Sequence, residues 1–197
     1  MARRSLERVR SKGLDGLERE MVAAAAAGGL AGARVLEVGG GIGAMQAELL
    51  EAGADRGEIV ELVAAWEPYA LELARERGLA GRTAFSVVDI LERPEAVAPA
   101  DVVVLNRVVC CSPDGVELTG EAARHTRRAL VLSFPRDVFW VRPFIRGLNA
   151  WMWLLRRSYR AFVHPPSALI AAAESEGLRR AAEGRGRLWE YAALVRP

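Results

Sequence analysis

Short apolar runs alternate with amphipathic stretches along most of this 197-residue chain. Residues 5–27 have the apolar spacing of a helix that breaks near Gly13 and ends at a pair of glycines. The apolar runs predict buried strands at 33–38, 59–62, 83–88, 101–105 and 129–134. The intervening stretches predict helices at 44–52, 65–77 and 115–128. A helix at 167–176 and two strands, near 179–182 and 188–195, complete the pattern.

Strands that alternate with helices of this length form βαβ units, whose parallel sheet is covered by helices on both faces. The pattern therefore predicts an α/β fold: a Rossmann-like, three-layer αβα sandwich. Its sheet is expected to be mostly parallel and seven-stranded, with an antiparallel C-terminal strand. The length suits one domain over 1–197. Within it we expect a helical region at 1–30 and a Rossmann-like core at 31–135 and 165–197.

The regular alternation stops at Pro135, and residues 136–164 form a basic, aromatic, helical insertion. Residues 136–160 contain six arginines against one acid, Asp137, and six of the 13 aromatic side chains of the chain. Apolar side chains recur at helical spacing from Val141 to Tyr159. The segment fits three roles: a lid over a substrate pocket, a packing or homodimer face, and peripheral contact with a membrane surface.

Composition removes several classes of function. The 27 basic and 25 acidic residues nearly balance, so no basic stripe supports a nucleic-acid partner. No apolar run is long enough to span a membrane, and no secretory leader is recognisable. The two cysteines, Cys110 and Cys111, are adjacent and cannot form a disulfide framework, which predicts a cytoplasmic protein. Without partnered histidines they also predict no metal site.

The clearest chemical signal is the glycine-rich turn from Gly39 to Gly43, which follows a strand and opens a helix. Glycine allows a tight turn and lets a ligand approach the main chain. The helix N-terminus adds N–H groups that have no partner and a positive dipole end. Glu61 and Asp89 end the next two strands, where a carboxylate meets a ribose diol or an adenine amino group. These features together predict a nucleotide-like ligand.

These segments resemble the class I S-adenosylmethionine (SAM)-dependent methyltransferases. Residues 35–43 are similar to the first motif of that family, with the acid Glu37 two residues before the first glycine. Glu61, the Asp89–Ile90 pair and residues 105–109 are similar to the motifs after the second, third and fourth strands. The resemblance implies SAM as cofactor, held by Glu37, Gly39, Gly40, Gly41, Gly43, Glu61, Leu62, Asp89, Ile90 and Asn106.

The sequence departs from that family in two places. Three consecutive glycines replace the more usual Gly-Cys/Ser-Gly, and Glu67 is a rival to Glu61 for the ribose. Residues 106–114 and 164–166 are similar to small bacterial enzymes of the magnesium-protoporphyrin O-methyltransferase type. The resemblance implies methyl transfer from SAM to a small-molecule acceptor that is aromatic, apolar or carboxylate-bearing.

Methyl transfer from a sulfonium mainly needs a nucleophile held in line, so few catalytic groups are expected. We expect His164 to be a substrate contact or general base, or else to pack at the turn made by the two prolines that follow it. Arg107 follows the fourth strand and is expected to pair with a substrate carboxylate or with a nearby acid. His125 is expected to be a solvated residue within the helix predicted at 115–128.

Two other functions stay open. An NAD(P)-binding oxidoreductase is one, because Gly39, Gly41 and Ala44 satisfy the dinucleotide-binding pattern. Against it, Glu37 would lie in the strand that leads to the pyrophosphate, and Lys12, the only lysine, belongs to no Tyr-x-x-x-Lys pair. The other is a non-catalytic SAM-binding protein, which the sequence does not distinguish from an enzyme.

Overall fold

A seven-stranded sheet organises the chain in a computed structural model that describes residues 1–157 and 160–197. The strands are β1 (Arg34–Val38), β2 (Arg56–Glu61), β3 (Thr83–Val87), β4 (Ala100–Leu105), β5 (Thr126–Pro135), β6 (Arg179–Arg185) and β7 (Trp189–Val195). Their order is β3-β2-β1-β4-β5-β7-β6, and β7 runs in the opposite direction to the other six strands. The predicted α/β sandwich with an antiparallel C-terminal strand is confirmed.

Seven α-helices accompany the sheet in the described ranges: α1 (Ala2–Lys12), α2 (Gly16–Ala26), α3 (Ala44–Glu51), α4 (Glu67–Glu76), α5 (Gly115–Arg124), α6 (Val141–Leu154) and α7 (Pro166–Ser175). Helices α2, α3 and α4 contribute to the core on one face of the sheet, and α5 and α7 to the core on the other. The predicted break near Gly13 separates α1 from α2. Helix α2 begins with a reciprocal capping box between Asp15 and Glu18.

The central strands are apolar throughout because both of their faces are covered. Val35 and Leu36 are both fully buried, yet they belong to the cores on opposite faces. Successive strand residues point to opposite sides of a sheet, so a parallel strand between two helical layers needs consecutive apolar residues. Burying each such side chain contributes about 1.5–3 kcal/mol.

Several predicted boundaries are wrong: β5 begins at Thr126 rather than at 129, and β6 ends at Arg185 rather than at 182. Strand β2 covers Arg56–Glu61 rather than 59–62, because it pairs along its length with β1 and β3 and turns away after Glu61. Helix α5 ends at Arg124 rather than at residue 128, because Thr126 already pairs with Ala100 as the first residue of β5. A register shift between Ala100 and Val102 accommodates this early start.

The prediction that His125 is solvated is also wrong. His125 follows the last residue of α5 and is buried, with a relative exposure of 6%. Its Nδ1 lies 3.0 Å from the Glu121 carbonyl oxygen, and its Nε2 lies 3.0 Å from the carbonyl oxygens of Pro94 and Val97. The imidazole therefore joins the end of α5 to the turn before β4.

We expect His125→Ala to lower the free energy of unfolding by about 3 kcal/mol, because buried carbonyls lose their donors and a cavity remains. Urea denaturation measures the change. The neighbouring exposed Arg127→Ala is the matched control and should stay within about 0.5 kcal/mol of the wild type. Equal stabilities of the two variants would contradict the structural role of His125.

The basic, aromatic insertion contains α6, as the helical spacing predicts, but this helix is mostly exposed. Val141 is its one buried residue. Tyr159, which the sequence placed on the same stripe, lies outside the described residues. In the described ranges no helix is both long and apolar enough to cross a membrane.

Candidate cofactor-binding site

The predicted site residues meet at the carboxyl edge of the sheet, beside β1. The strand order reverses between β1 and β4, and ligands of open α/β sheets bind at such a switch point. Val38 pairs with Val60, and the Gly39 N–H donates to the Val60 carbonyl oxygen at 2.7 Å. The chain therefore turns into the glycine loop directly beside the end of β2.

Three glycines of the loop have a positive φ: 65° at Gly39, 57° at Gly41 and 70° at Gly43. A Cβ at Gly39 would lie 2.2 Å from Val108 Cγ2, and one at Gly43 would lie 2.3 Å from Ile59 Cδ1. These two positions need glycine for packing as well as for conformation. At Gly41 the nearest atom would be in the Trp66 ring at 3.4 Å, an ordinary contact. Gly41 is thus the position where the loop leaves room beside its backbone.

Glu37 lies beneath the loop as a buried carboxylate with a relative exposure of 3%. It accepts a hydrogen bond from the Gln46 N–H at 3.0 Å, at the start of α3. Burial, together with the negative charges of Glu18 and Glu61, raises the pKa of Glu37 to about 8. Among the described residues no arginine or lysine pairs with it. Such a group favours a cationic ligand, which would stabilise the carboxylate form.

Glu61 ends β2 with its carboxylate turned toward the loop. It accepts hydrogen bonds from the Gly41 N–H at 3.1 Å and from the Leu62 N–H at 2.9 Å. Leu62 and Val63 follow as exposed apolar side chains, with relative exposures of 64% and 51%. The rival Glu67 lies one turn further on, at the start of α4. The site thus combines an acid with uncovered apolar surface.

Asp89 and Ile90 follow the end of β3, and the structure separates their roles. The Asp89 carboxylate caps the turn, accepting from the Leu91 N–H at 2.9 Å. The Ile90 side chain is buried in the same core as Val60. Asp89 therefore presents its carboxylate near the edge, while Ile90 contributes packing beneath it.

Asn106 follows β4 and is held from two sides. Its Nδ2 donates to Glu18 Oε1 at 3.1 Å, and its Oδ1 accepts from the Ser133 hydroxyl at 2.9 Å. Glu18 is itself buried, with 2% exposure, on α2. Helix α2 therefore contacts the segment that the sequence placed beside the cofactor.

Arg107 adopts a left-handed conformation, with φ 57°, and its N–H donates to the Ser133 hydroxyl at 2.9 Å. Its guanidinium pairs with Asp15 and lies 3.5 Å from Glu18, and it stacks 5.3 Å from the centre of the Trp189 ring. Of the two expected partners, the structure shows nearby acids. A substrate carboxylate stays a prediction.

His164 lies near the N-terminus of α5. Its Nε2 is 3.0 Å from the Ser112 carbonyl oxygen, and its ring stacks on Phe162 with centroids 6.3 Å apart. A Cβ at Gly115 would lie 2.5 Å from Nε2, so the imidazole packs closely on the first residue of α5. The Nε2 edge of the His164 ring is thus used in packing, and the catalytic role of His164 stays a prediction.

Cys110 and Cys111 form no disulfide, and their Sγ atoms lie 3.8 Å apart. The hydrogen bond between them and burial both raise the pKa of the Cys110 thiol, which makes it a poor nucleophile. Within 1–157 and 160–197, no group of three or more His, Cys, Asp or Glu side chains is arranged to hold a metal ion.

Sequence reasoning missed Glu18 and Trp66. Glu18 had a readable local signal, since Asp15 and Glu18 have the spacing of a capping box, but the pattern indicates only a helix start. Trp66 had none, because its contact with Gly41 depends on the turn after β2.

Helix α1 covers the loop from outside. Leu6 and Val9 pack with Ile42 of the loop and with Leu73 of α4. Arg10 pairs with Glu72 and Glu76 on α4. Arg8, which pairs with Glu18, also lines a cleft of about 400 Å³ together with Met1, Arg4 and Ser5.

We expect Glu18→Gln to loosen α2 from the edge of the sheet, because the amide loses the ion pairs with Arg8 and Arg107. The free energy of local opening should fall by about 1.5–3 kcal/mol. Hydrogen exchange across 16–26, followed by mass spectrometry, measures it. Glu20→Gln, an exposed change on the same helix, is the control. Unchanged exchange in Glu18→Gln would show that the pairs do not hold α2.

No family model matches the sequence, and no curated protein matches it. A magnesium protoporphyrin IX methyltransferase from Synechocystis PCC 6803 with bound SAH is similar, with a TM-score of 0.71 and 20% identity over 91% of this chain and 83% of that one. The N-methyltransferase NodS from Bradyrhizobium japonicum WM9, in complex with S-adenosyl-L-homocysteine, gives a TM-score of 0.67 and 15% identity over 100% and 98%.

The fold is therefore that of the class I SAM-dependent methyltransferases. The resemblance predicted from residues 35–43 and the later motifs is confirmed at the level of the fold. A further similar structure, described as the [4+2]-cyclase SpnF, has a TM-score of 0.69 at 15% identity, over 91% of this chain and 80% of that one. The fold alone thus does not fix the reaction.

Proposed function

We propose that this protein transfers a methyl group from SAM to a small-molecule acceptor. The observation that carries the proposal is the buried acid Glu37 beneath the glycine loop, which has no basic partner among the described residues. SAM carries a sulfonium and an ammonium, and a positive charge bound near Glu37 would stabilise the ionised form of this acid. The pyrophosphate of NAD(P) is negatively charged and would disfavour that form, which argues against an oxidoreductase.

The residues present fit SAM in the following roles. The Glu61 carboxylate accepts from the N–H groups of Gly41 in the loop and of Leu62, and would accept from ribose hydroxyls in the same way. Leu62 offers exposed apolar surface to an adenine ring, and Asp89 offers a carboxylate to its amino group, while Ile90, next to Asp89, is buried in the core. Gly39, Gly40, Gly41 and Gly43 allow the close approach. Asn106 would lie beside the reacting methyl group, held by Glu18 and Ser133.

When bound, SAM supplies a methyl group already activated on sulfur, so the protein mainly has to orient the acceptor. His164 is the proposed base for a hydroxyl or amine acceptor. A carbonyl oxygen only accepts, so His164 Nε2 would donate to Ser112, which leaves Nδ1 as the nitrogen that would take the proton of the acceptor. Arg107 would turn to a carboxylate acceptor only by exchanging its contacts with Asp15 and Glu18.

Thermal denaturation tests the cofactor. SAM and S-adenosylhomocysteine should each raise the melting temperature, because a ligand that binds only the folded state stabilises it. A clear shift with NADH and none with SAM would overturn the assignment. A methyl-transfer assay on a pool of aromatic, apolar and carboxylate-bearing metabolites then tests turnover. Binding without turnover would favour the non-catalytic alternative.

We also propose a cytoplasmic location, which rests on the two cysteines being too few and too close in sequence to form a disulfide framework. The acceptor is proposed to be a small molecule rather than a nucleic acid, because the excess of basic residues is confined to 136–160 and the rest of the chain has no supporting basic stripe.

A further inference from the structure

Helix α6 and its flanks leave many large apolar side chains uncovered. We call this surface the α6 patch, and its exposed members are Phe139, Trp140, Phe144, Trp151, Trp153, Leu154 and Leu155. Phe139 is 91% exposed and Trp153 is 71% exposed. An exposed apolar patch of this kind marks a surface that binds another molecule or a membrane.

Helix α6 is held at its first residue and near its middle. Val141 is buried, and Asn149 makes two hydrogen bonds to the backbone of Ala161: Nδ2 donates to the carbonyl oxygen at 2.7 Å, and Oδ1 accepts from the N–H at 2.9 Å. Phe144, Trp151 and Leu155 recur at helical spacing and lie together on one exposed face. The protein thus holds α6 without covering its apolar face.

The positive charge of the α6 segment indicates what kind of partner binds its apolar face. Arg142 pairs with Asp137, the one acid of the segment, whereas in the described ranges Arg146, Arg156 and Arg157 have no acidic partner. A second copy of the chain would bring the same positive charges against these, so the patch does not suit a symmetric dimer. A nucleic acid would use the arginines but would leave the aliphatic part of the face in water.

We infer that the α6 patch binds the surface of an anionic lipid bilayer. Tryptophan and phenylalanine bury at the boundary between headgroups and acyl chains, and arginine binds the phosphates beside them. With 14 residues, α6 is about 21 Å long, too short to cross the hydrocarbon core, and therefore lies in the plane of the surface.

The position of α6 in the fold has a consequence for the acceptor, and this step rests on the proposed function. Helix α6 follows β5, whose carboxyl end lies at the same edge of the sheet as the glycine loop. Docking through α6 would therefore place that edge next to the membrane. An apolar acceptor dissolved in the bilayer would then reach the site without crossing bulk water.

Vesicle flotation of the full chain tests the inference without any cofactor. We expect binding to vesicles of equal parts phosphatidylcholine and phosphatidylglycerol, and much weaker binding to phosphatidylcholine alone. The double variant Arg156→Gln with Arg157→Gln should weaken binding about thirtyfold at physiological salt. The matched control neutralises two exposed arginines elsewhere, Arg127→Gln with Arg179→Gln, and should bind within about twofold of the wild type.

A second variant pair tests the apolar part. Trp151→Ser should weaken binding to the mixed vesicles about tenfold, and Val195→Ser, at an exposed position outside the patch, should not. The inference is overturned if the wild type does not float with the mixed vesicles, or if the patch variants bind as well as their controls. It is also overturned if sedimentation shows a dimer that Trp151→Ser dissociates. None of these readouts uses SAM, so failure here is distinguishable from failure of the proposed function.

Discussion

Replacing Gly41 by arginine is expected to abolish SAM binding while the chain still folds. A Cβ at Gly41 would make ordinary contact with Trp66, so the side chain fits the protein but projects where a ligand approaches the loop. We expect the dissociation constant to rise at least about a hundredfold, since the loss of backbone approach removes several hydrogen bonds. Isothermal titration calorimetry with SAM measures the effect.

The strain of a positive φ needs its own control. Gly78, which follows α4, has φ 69°, and a side chain there would meet nothing within 4 Å. Gly78→Arg therefore introduces the same residue at a similar backbone angle away from the site. It should lose about 1 kcal/mol of stability and keep its affinity for SAM. If Gly41→Arg binds SAM as tightly as Gly78→Arg does, the ligand does not lie on this loop.

Replacing Glu37 by glutamine is expected to stabilise the unliganded protein above neutral pH. The pKa of Glu37 is raised to about 8 from an ordinary value of 4.5, so the folded state holds a proton that the unfolded state has released. Stability of the wild type therefore falls as the pH rises from about 4.5 to about 8, by up to about 1.4 kcal/mol per pH unit. Glu37→Gln carries no such group and should escape this loss. Urea denaturation at pH 5, 6.5 and 8 measures both proteins.

The same residue links SAM affinity to pH. An ammonium favours the carboxylate form of Glu37, so wild-type affinity should rise between about pH 5.5 and 7, where the amino group of SAM is still charged. One linked proton gives at most about a tenfold rise per pH unit. Glu37→Gln should bind more weakly and without this slope. Glu174→Gln, an exposed change on α7, should keep the slope. A parallel slope in Glu37→Gln and the wild type would refute the linkage.

The local pattern of apolar residues and glycines was sufficient to predict the centre of the fold. The consecutive apolar residues Val35 and Leu36 predict a strand that is covered on both faces, and the glycines after them predict a turn into a helix. Both predictions depend only on residues that are neighbours in sequence. The carboxyl ends of parallel strands share an edge, which predicted that Glu61 and Asp89 lie at the same edge as the loop without any knowledge of long-range contacts.

Contacts between segments that are distant along the chain could not be predicted from the sequence. Arg107 meets Asp15 across 92 positions of the chain, and His125 is buried by a turn about 30 positions earlier. Neither partner lies within a window in which periodicity carries information. The exposure of α6 could not be predicted for a different reason. The spacing of its apolar residues predicted a helix with an apolar face, but spacing does not show whether another element packs on that face.

The antiparallel direction of β7 has a practical consequence for labelling. Because β7 runs against β5, Val195 pairs with Ala129 near the start of β5, at the opposite edge of the sheet from the glycine loop. A fluorophore or fusion partner attached after Pro197 is therefore separated from the loop by the length of a strand, about 17–20 Å. An attachment before Met1 would instead adjoin α1, which packs on Ile42. Binding measurements on SAM and on vesicles are best made with the reporter at the far edge.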